Sequence, residues 1–311
     1  MLRARATELH GDPDARVSPL LPQWQEGLHP AVRAEAETLV ASGALPLHDH
    51  VHALHSSQAF ALNLFLPARV GDRTALSAFV SDALGRAVSI VDVELEFIGS
   101  GDLLAEIPGA VPGPDDRVTQ ADVALHLQDE AGRRGLLLVE VKLSEGGFTA
   151  CGGAGSRGNR DRAPCEDAAI FLADPARCYL RRPRHAARDR RYWTLFAAHH
   201  GSVAAAFPGA APTGPCPFAG DWQQPMRNHA LALAAVEAGL ADFAAVALVH
   251  HDHNPDVPGP WDAYREAVAA PELLQRWPAS RLLTALDATL PAAPFPVGAW
   301  LRERYHLPET P

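Results

Sequence analysis

The sequence predicts an α/β fold in which helices cover a mixed β-sheet. Residues 88–98 and 120–128 alternate apolar with polar positions and are rich in branched side chains, which is typical of strands. The strand at 136–143 opens with a continuous apolar run, which indicates a central strand, and the turn-forming stretch at 129–134 joins it to its predecessor as a hairpin. A fourth strand is predicted at 243–251, after a long intervening segment.

Helices are predicted before, between and after these strands. Pro30 stands near the start of the first helix, over 30–42, where proline is favoured. Ser56 or Ser57 can cap the next helix, which is apolar on most of its surface, so Gln58 and Asn63 on it need buried partners. Further helical segments are predicted at 74–84, 228–239, 261–269 and 279–289, and a short closing turn at 300–305.

We expect the 311 residues to form one domain. Its core would comprise about 45–145 and 222–255, with a cysteine- and arginine-rich insertion at 146–221 and a helical tail at 256–311. A net charge of −10 excludes a surface that is positive throughout, although it allows a local basic groove. The sequence has no apolar core of a secretory signal and no apolar stretch of about 20 residues, so we expect a cytoplasmic protein without membrane contact.

The polar end of the central strand carries the residues best suited to chemistry. Strand alternation puts Glu140 and Lys142 on one face, and Lys142 is the only lysine among 27 Lys and Arg residues. The hairpin sets Asp122 beside Glu140 at the end of the neighbouring strand. Two carboxylates that converge there can hold Mg²⁺ or Mn²⁺, while a lysine can position water or stabilise developing negative charge. The competing interpretation is a structural ion pair.

This Asp…Glu-x-Lys hairpin, in a helix, three-strand, helix, strand order, resembles the PD-(D/E)xK nuclease superfamily over roughly 50–145 and 224–254. Within it, the sequence is similar to the restriction-endonuclease-like family typified by PGN_0703, through the stretches 56–65, 119–122, 139–145 and 216–228. The resemblance implies a restriction-endonuclease-like αβββαβ core. It also implies a metal-dependent DNA nuclease with Asp122, Glu140 and Lys142 as catalytic residues and the Val141 carbonyl as a further Mg²⁺ ligand. Ala121 replaces the family's proline, which is a tolerated variation.

Further site residues follow from the same resemblance. Members of the superfamily often add an acidic residue from an earlier element, and Glu96 is the candidate, with Glu94 as second choice, because the first core helix offers Gln58 rather than Glu. Gln224 and Arg227 open the helix after the insertion, where some of these nucleases carry a Gln that touches DNA or orders the active site. The alternatives are an ordinary strand-surface Glu and exposed amides at a helix start.

All four cysteines lie in the insertion, at Cys151, Cys165, Cys178 and Cys216, separated by 13, 12 and 37 residues. The Cys-x-x-Cys pair of common zinc sites is absent, but four soft ligands match the count for a [4Fe–4S] cluster or a Zn²⁺ site. RecB-like members of the superfamily carry four-cysteine iron–sulfur clusters at different positions. The alternative is four unrelated thiols.

The insertion also carries a local excess of positive charge. Ten arginines lie between 157 and 191, against five acids. We expect Arg181, Arg182 and Arg184 to contact DNA together with Gln224 and Arg227, because guanidinium groups beside aromatic rings suit phosphate contact and base stacking. The alternative is a solvated arginine-rich face. Histidine clusters at 48–55 and 250–253 lack an accompanying zincin Glu, so we expect surface or capping roles for them.

The predicted function is therefore Mg²⁺- or Mn²⁺-dependent hydrolysis of phosphodiester bonds in DNA. The alternative is a non-catalytic nucleic-acid-binding protein that keeps the nuclease fold, against which the intact set of Asp122, Glu140 and Lys142 argues. A third hypothesis, a His/Cys zinc hydrolase, predicts Zn²⁺-supported activity that is independent of Lys142. The sequence leaves open the choice between endo- and exonuclease, sequence specificity and oligomeric state.

Overall fold

A single five-stranded mixed sheet organises the computed structural model, which describes residues 20–99, 103–106, 118–181, 190–290 and 296–309. The strands lie in the order β1 to β5. The first two pairings are antiparallel and the last two are parallel, so the predicted α/β class and mixed sheet are confirmed. The strands are β1 (Val88–Phe97), β2 (Ala121–Asp129), β3 (Arg134–Lys142), β4 (Phe243–His250) and β5 (Leu274–Pro278).

Eleven α-helices lie among the described residues. They are α1 (Arg33–Ala41), α2 (Ser57–Val70), α3 (Thr74–Leu84), α4 (Ala163–Glu166), α5 (Ala168–Ala173), α6 (Tyr192–His200), α7 (Val203–Ala206), α8 (Gln223–Glu237), α9 (Pro258–Ala267), α10 (Leu283–Thr289) and α11 (Val297–Tyr305). The Ser56 hydroxyl caps α2 by accepting from the Ala59 N–H, and Gly85 ends α3 in the left-handed conformation. No helix among the described residues is long and apolar enough to cross a membrane.

The hairpin has the register that its length predicts. Val123 lies opposite Val139 and Leu125 opposite Leu137. The side chain of Asp129 accepts backbone N–H groups of the turn from Ala131 and Arg133, which closes the hairpin. Continuing the register by one residue sets Asp122 across from Glu140, where the regular backbone ladder ends.

The sheet separates two apolar layers. Leu137, Val139 and Val141 face the layer that contains α2, α3, α10 and α11, while Leu136 and Leu138 face the layer that contains α6, α8 and α9. By the same alternation Glu140 and Lys142 belong to the α8 side. The central strand therefore delivers its two charged residues to the interface with one helix.

Two elements differ from the sequence-based expectation. The tail is not only helical, because residues 274–278 form β5 and extend the sheet by a fifth, parallel strand. In addition, α8 begins at Gln223 rather than at residue 228, so Gln224 and Arg227 lie within its first turns. The early start follows from Trp222 and Gln223, whose backbones already continue the turn from Gly220.

The two polar residues of α2 have different partners. The Asn63 side chain is fully buried and forms a structural tie. Its side chain accepts from the His29 N–H and donates to the carbonyls of Gly27 and Ala59 and to the Tyr305 hydroxyl. These bonds link the segment before α1 to α11. Gln58, by contrast, reaches the acidic end of β1, as described below.

Candidate active site

The ends of β2 and β3 bring the predicted acidic pair together. Beyond the Val123–Val139 pair, the Asp122 carboxylate replaces a backbone partner, because its Oδ2 accepts the Val141 N–H at 2.6 Å. This bond aligns the Asp122 side chain with the backbone that carries Glu140 and Lys142. Asp122, Glu140 and Lys142 therefore lie at one point on the sheet, as the sequence predicts.

Helix α8 holds the Glu140 carboxylate by both oxygens. Gln224 Nε2 donates to Oε1 at 2.6 Å and Asn228 Nδ2 donates to Oε2 at 2.7 Å. Gln224 is fixed in turn, because its Oε1 accepts the Thr149 N–H at 3.1 Å. Glu140 and Asn228 are 3% and 1% exposed, so these charge-assisted bonds are shielded from water and fix the carboxylate in one orientation.

Lys142 is the cation of the site. Its Nζ lies 2.9 Å from Glu140 Oε1, and only 8% of the residue is exposed. Burial lowers the pKa of Lys142, but the neighbouring carboxylates of Glu140 and Asp122 outweigh burial and raise that pKa above the ordinary lysine value. These carboxylates therefore favour the ammonium form of Lys142, which contacts Glu140.

Asp122 carries the opposite electrostatic signature. Burial raises the pKa of its carboxyl well above the ordinary value, and the nearby charges of Glu140 and Glu96 raise it further. Lys142 and the Val141 N–H lower the pKa but do not compensate. Asp122 thus lies close to two further carboxylates, and an additional cation at this point would relieve their repulsion.

Glu96 approaches this group from β1 through an irregular backbone. It has a φ of 53°, which is uncommon for a residue other than glycine. Its 8%-exposed carboxylate accepts from Gln58 Nε2 at 2.6 Å and lies 3.3 Å from His48 Nε2. The hydrogen bond to Glu96 raises the pKa of His48. Gln58 thus positions Glu96, and Glu94 instead pairs with His126 on the sheet surface.

The donor chemistry of the site fits a hard divalent cation. Asp122 and Glu140 supply carboxylate oxygens, and Mg²⁺ is commonly held by one or two carboxylates that leave its other positions to water or substrate phosphate. Among the residues that the structure describes, no three or more His, Cys, Asp and Glu side chains form a group that could hold one ion. A site of the Mg²⁺ kind does not require such a group, whereas a structural zinc site does.

The residues predicted to bind DNA have varied surroundings. Arg227 is held inside the protein, where its Nε donates to Thr119 Oγ1 at 2.8 Å and its guanidinium pairs with Glu106 at 3.3 Å. The side-chain amide of Gln224 accepts from the Thr149 N–H and donates to Glu140, so both its polar atoms have partners within the protein. The Arg181 N–H donates to the Cys178 carbonyl at 3.0 Å, which closes a turn. Arg182 and Arg184 lie outside the described residues.

Two site residues were missed at the sequence level. Asn228 donates to Glu140 as Gln224 does. Its position four residues after Gln224, on the same face of the helix, could have indicated this role. His48 contacts Glu96 from a segment that reads as a histidine cluster. In the second histidine cluster, His251 Nε2 bonds to the Tyr305 carbonyl oxygen at 2.7 Å, which gives it the structural role expected.

Comparison with known proteins identifies a family. A family model described as restriction endonuclease associating with ARP matches residues 10–306. No curated protein and no solved structure matches the chain. The match spans both halves of the sheet, the cysteine-bearing segment and the tail, and it supports a nuclease-like function with DNA as the substrate class. The chain belongs to the restriction-endonuclease family described as associating with ARP.

Proposed function

We propose that the protein is a divalent-metal-dependent deoxyribonuclease of the PD-(D/E)xK type, with Mg²⁺ or Mn²⁺ as its cofactor. The observation that carries the proposal is the convergence of Asp122, Glu140 and Lys142 at the ends of two neighbouring strands, with a further carboxylate, Glu96, close to Asp122. The family match adds independent support for nuclease chemistry. A fold kept only for binding would have no need to maintain buried, mutually repelling acids.

In this proposal Asp122 and Glu140, with the Val141 carbonyl, hold the metal. When bound, the metal supplies a Lewis acid that polarises the phosphodiester and lowers the pKa of water. Gln224 and Asn228 would keep the Glu140 carboxylate in one orientation for the metal, and Glu96, held by Gln58, would add negative charge close to Asp122. We assign Gln224 this positioning role in preference to a direct contact with DNA.

Lys142 donates hydrogen bonds from a fixed ammonium group. In the proposed mechanism it orients the attacking water through one N–H while another faces Glu140, and it stabilises the negative charge that develops on the phosphate oxygens. A compact, rotatable cation fits this task, and the chain uses lysine here alone.

A cleavage assay tests the proposed function. The full chain is incubated with linear, circular and single-stranded DNA, in Mg²⁺, Mn²⁺, Zn²⁺ or EDTA. We expect products with Mg²⁺ or Mn²⁺ and none with EDTA. Binding of all three DNAs without cleavage would favour the non-catalytic alternative, and cleavage with Zn²⁺ that survives loss of Lys142 would favour the zinc-hydrolase hypothesis.

Asn228→Ala should weaken the use of metal without unfolding the protein. The substitution releases one oxygen of Glu140, and loss of a group that orients a metal ligand costs about 10–100-fold in metal affinity or activity. We therefore expect a higher Mg²⁺ concentration for half-maximal cleavage, measured by metal titration. Gln128→Ala, at an exposed position on β2, is the control and should leave the titration unchanged. An unchanged titration for Asn228→Ala would remove α8 from the mechanism.

A further inference from the structure

The four cysteines come together although they are far apart in the chain. Cys151 follows β3, Cys165 lies in α4, Cys178 ends a 3₁₀ turn and Cys216 precedes another. All four line one narrow cavity. Backbone bonds lock the segments to each other, because Cys216 N–H donates to the Cys165 carbonyl at 3.0 Å and Cys151 N–H donates to the Ala219 carbonyl at 3.1 Å.

These thiols have none of the usual alternative roles. No pair of them forms a disulfide. Burial raises the pKa of Cys165, of Cys178 and, to about 12, of Cys216, and the other three sulfurs raise the pKa of Cys216 further. Nucleophilic cysteines need a lowered pKa, so the group does not resemble a catalytic thiol. Four partly buried thiols around one cavity instead suit ligands of a positively charged centre.

Polar side chains lie close to the sulfurs of this cavity. Gln223 lines it, is 4% exposed, and its Oε1 is buried with no hydrogen-bond partner among the described residues. Trp193 also lines it, and a hydrogen bond from its side chain lowers the pKa of Cys178. The buried Asn159 directs its Nδ2 to Cys165 Sγ at 3.5 Å. Such groups are typical of the shell around metal-bound sulfur, which they tune.

We propose that Cys151, Cys165, Cys178 and Cys216 ligate a [4Fe–4S] cluster. Such a cluster takes one cysteine at each of four iron atoms, and four cysteines line this one cavity. A single Zn²⁺ with four cysteine ligands is the competing occupant, and metal analysis separates the two.

The cluster would lie next to the proposed active site. Gln223 lines the cysteine cavity, and the adjacent Gln224 holds Glu140. Phe148 N–H donates to Asp221 Oδ1 at 3.3 Å, so the strand end and the start of α8 are tied together beside the cavity. The cluster would fix the first turn of α8 and so the position of Gln224. Its effect on catalysis rests on the proposed function, whereas the binding of the cluster by the four cysteines does not.

Metal analysis of the full chain purified without oxygen tests the proposal. We expect about four iron and four sulfide per chain, with broad visible absorption that bleaches on reduction by dithionite. Cys165→Ser and Cys178→Ser should each lose most of the iron. Phe196→Leu, which disturbs the packing of the same segment without removing a sulfur, should keep it.

Two results would overturn the cluster. One is a colourless protein with about one zinc per chain. The other is a metal-free folded protein whose four thiols all react with a thiol reagent. If the serine variants fail to fold, the iron and sulfide content of the unmodified chain still decides. Lys142→Met should retain full iron, so failure of the nuclease proposal would leave this measurement intact.

Discussion

Lys142→Met should reduce DNA cleavage by about 10²–10³-fold while the protein still folds, because loss of one fixed donor to developing charge costs that much in comparable sites. Methionine fills a similar volume but removes the cation that pairs with Glu140 and lies close to Asp122. Lys142→Arg should also fail to cleave, although it keeps the charge. A planar guanidinium cannot take the place of a compact ammonium in a site where the lysine is only 8% exposed.

The same substitution to methionine should lower stability. It leaves buried carboxylates without their cation, which costs on the order of 3 kcal/mol for a buried ion pair. Cleavage is therefore measured well below the midpoint of unfolding, with circular dichroism to verify the fold. Arg133→Met, which removes an exposed partner of Asp129 on the same hairpin, is the matched control and should cleave normally. Full activity of Lys142→Met would contradict the proposed role of Lys142 in cleavage.

Local patterns predicted the central part of the site. The Asp129–Arg134 turn and the alternation on either side of it determine the register of β2 and β3. That register alone brings Asp122 across from Glu140, and alternation puts Lys142 on the same face. Lys142 stood out among the many charged residues as the candidate for a chemical role, because the other 26 Lys and Arg residues of the chain are all arginine.

The rest of the site depends on contacts between distant segments. Asn228 reaches Glu140 across 88 positions and Gln58 reaches Glu96 across 38, and no short-range pattern encodes either contact. The fifth strand was missed because Leu274–Pro278 is short and lies between proline-rich turns, where the sheet edge rather than propensity selects the strand. The convergence of the four cysteines is likewise a result of tertiary packing, since their spacing has no motif.

Asp122→Asn should abolish metal-dependent cleavage and yet raise the thermal stability of the metal-free protein. Asparagine can still accept the Val141 N–H through its side-chain oxygen, so the end of the hairpin keeps its alignment. The substitution removes a partly buried negative charge that lies close to Glu140 and Glu96. At neutral pH that charge destabilises the fold, because the folded-state pKa of Asp122 is raised above its unfolded value.

The sign of this effect can be checked by varying pH in the presence of a chelator. A carboxyl with a raised folded-state pKa loses stability as the pH rises through that pKa. The advantage of asparagine should thus be largest near neutral pH and shrink toward acid, with about 2–4 °C in Tm for each kcal/mol. Added Mg²⁺ should raise the Tm of the unmodified chain but not that of Asp122→Asn, because only the former retains both carboxylate ligands.

Asp129→Asn is the matched contrast on the same strand. Burial raises the pKa of Asp129, but hydrogen bonds and the charge of Arg133 outweigh it and lower the pKa overall, so its ionised form stabilises the turn. We expect this variant to have a lower Tm and unchanged cleavage, which is the reverse of Asp122→Asn. If Asp122→Asn instead lowers the Tm in chelator, Asp122 is a structural residue. Opposite changes in Tm for these two variants would distinguish Asp122, a carboxylate that serves catalysis at a cost in stability, from Asp129, a carboxylate that stabilises the fold.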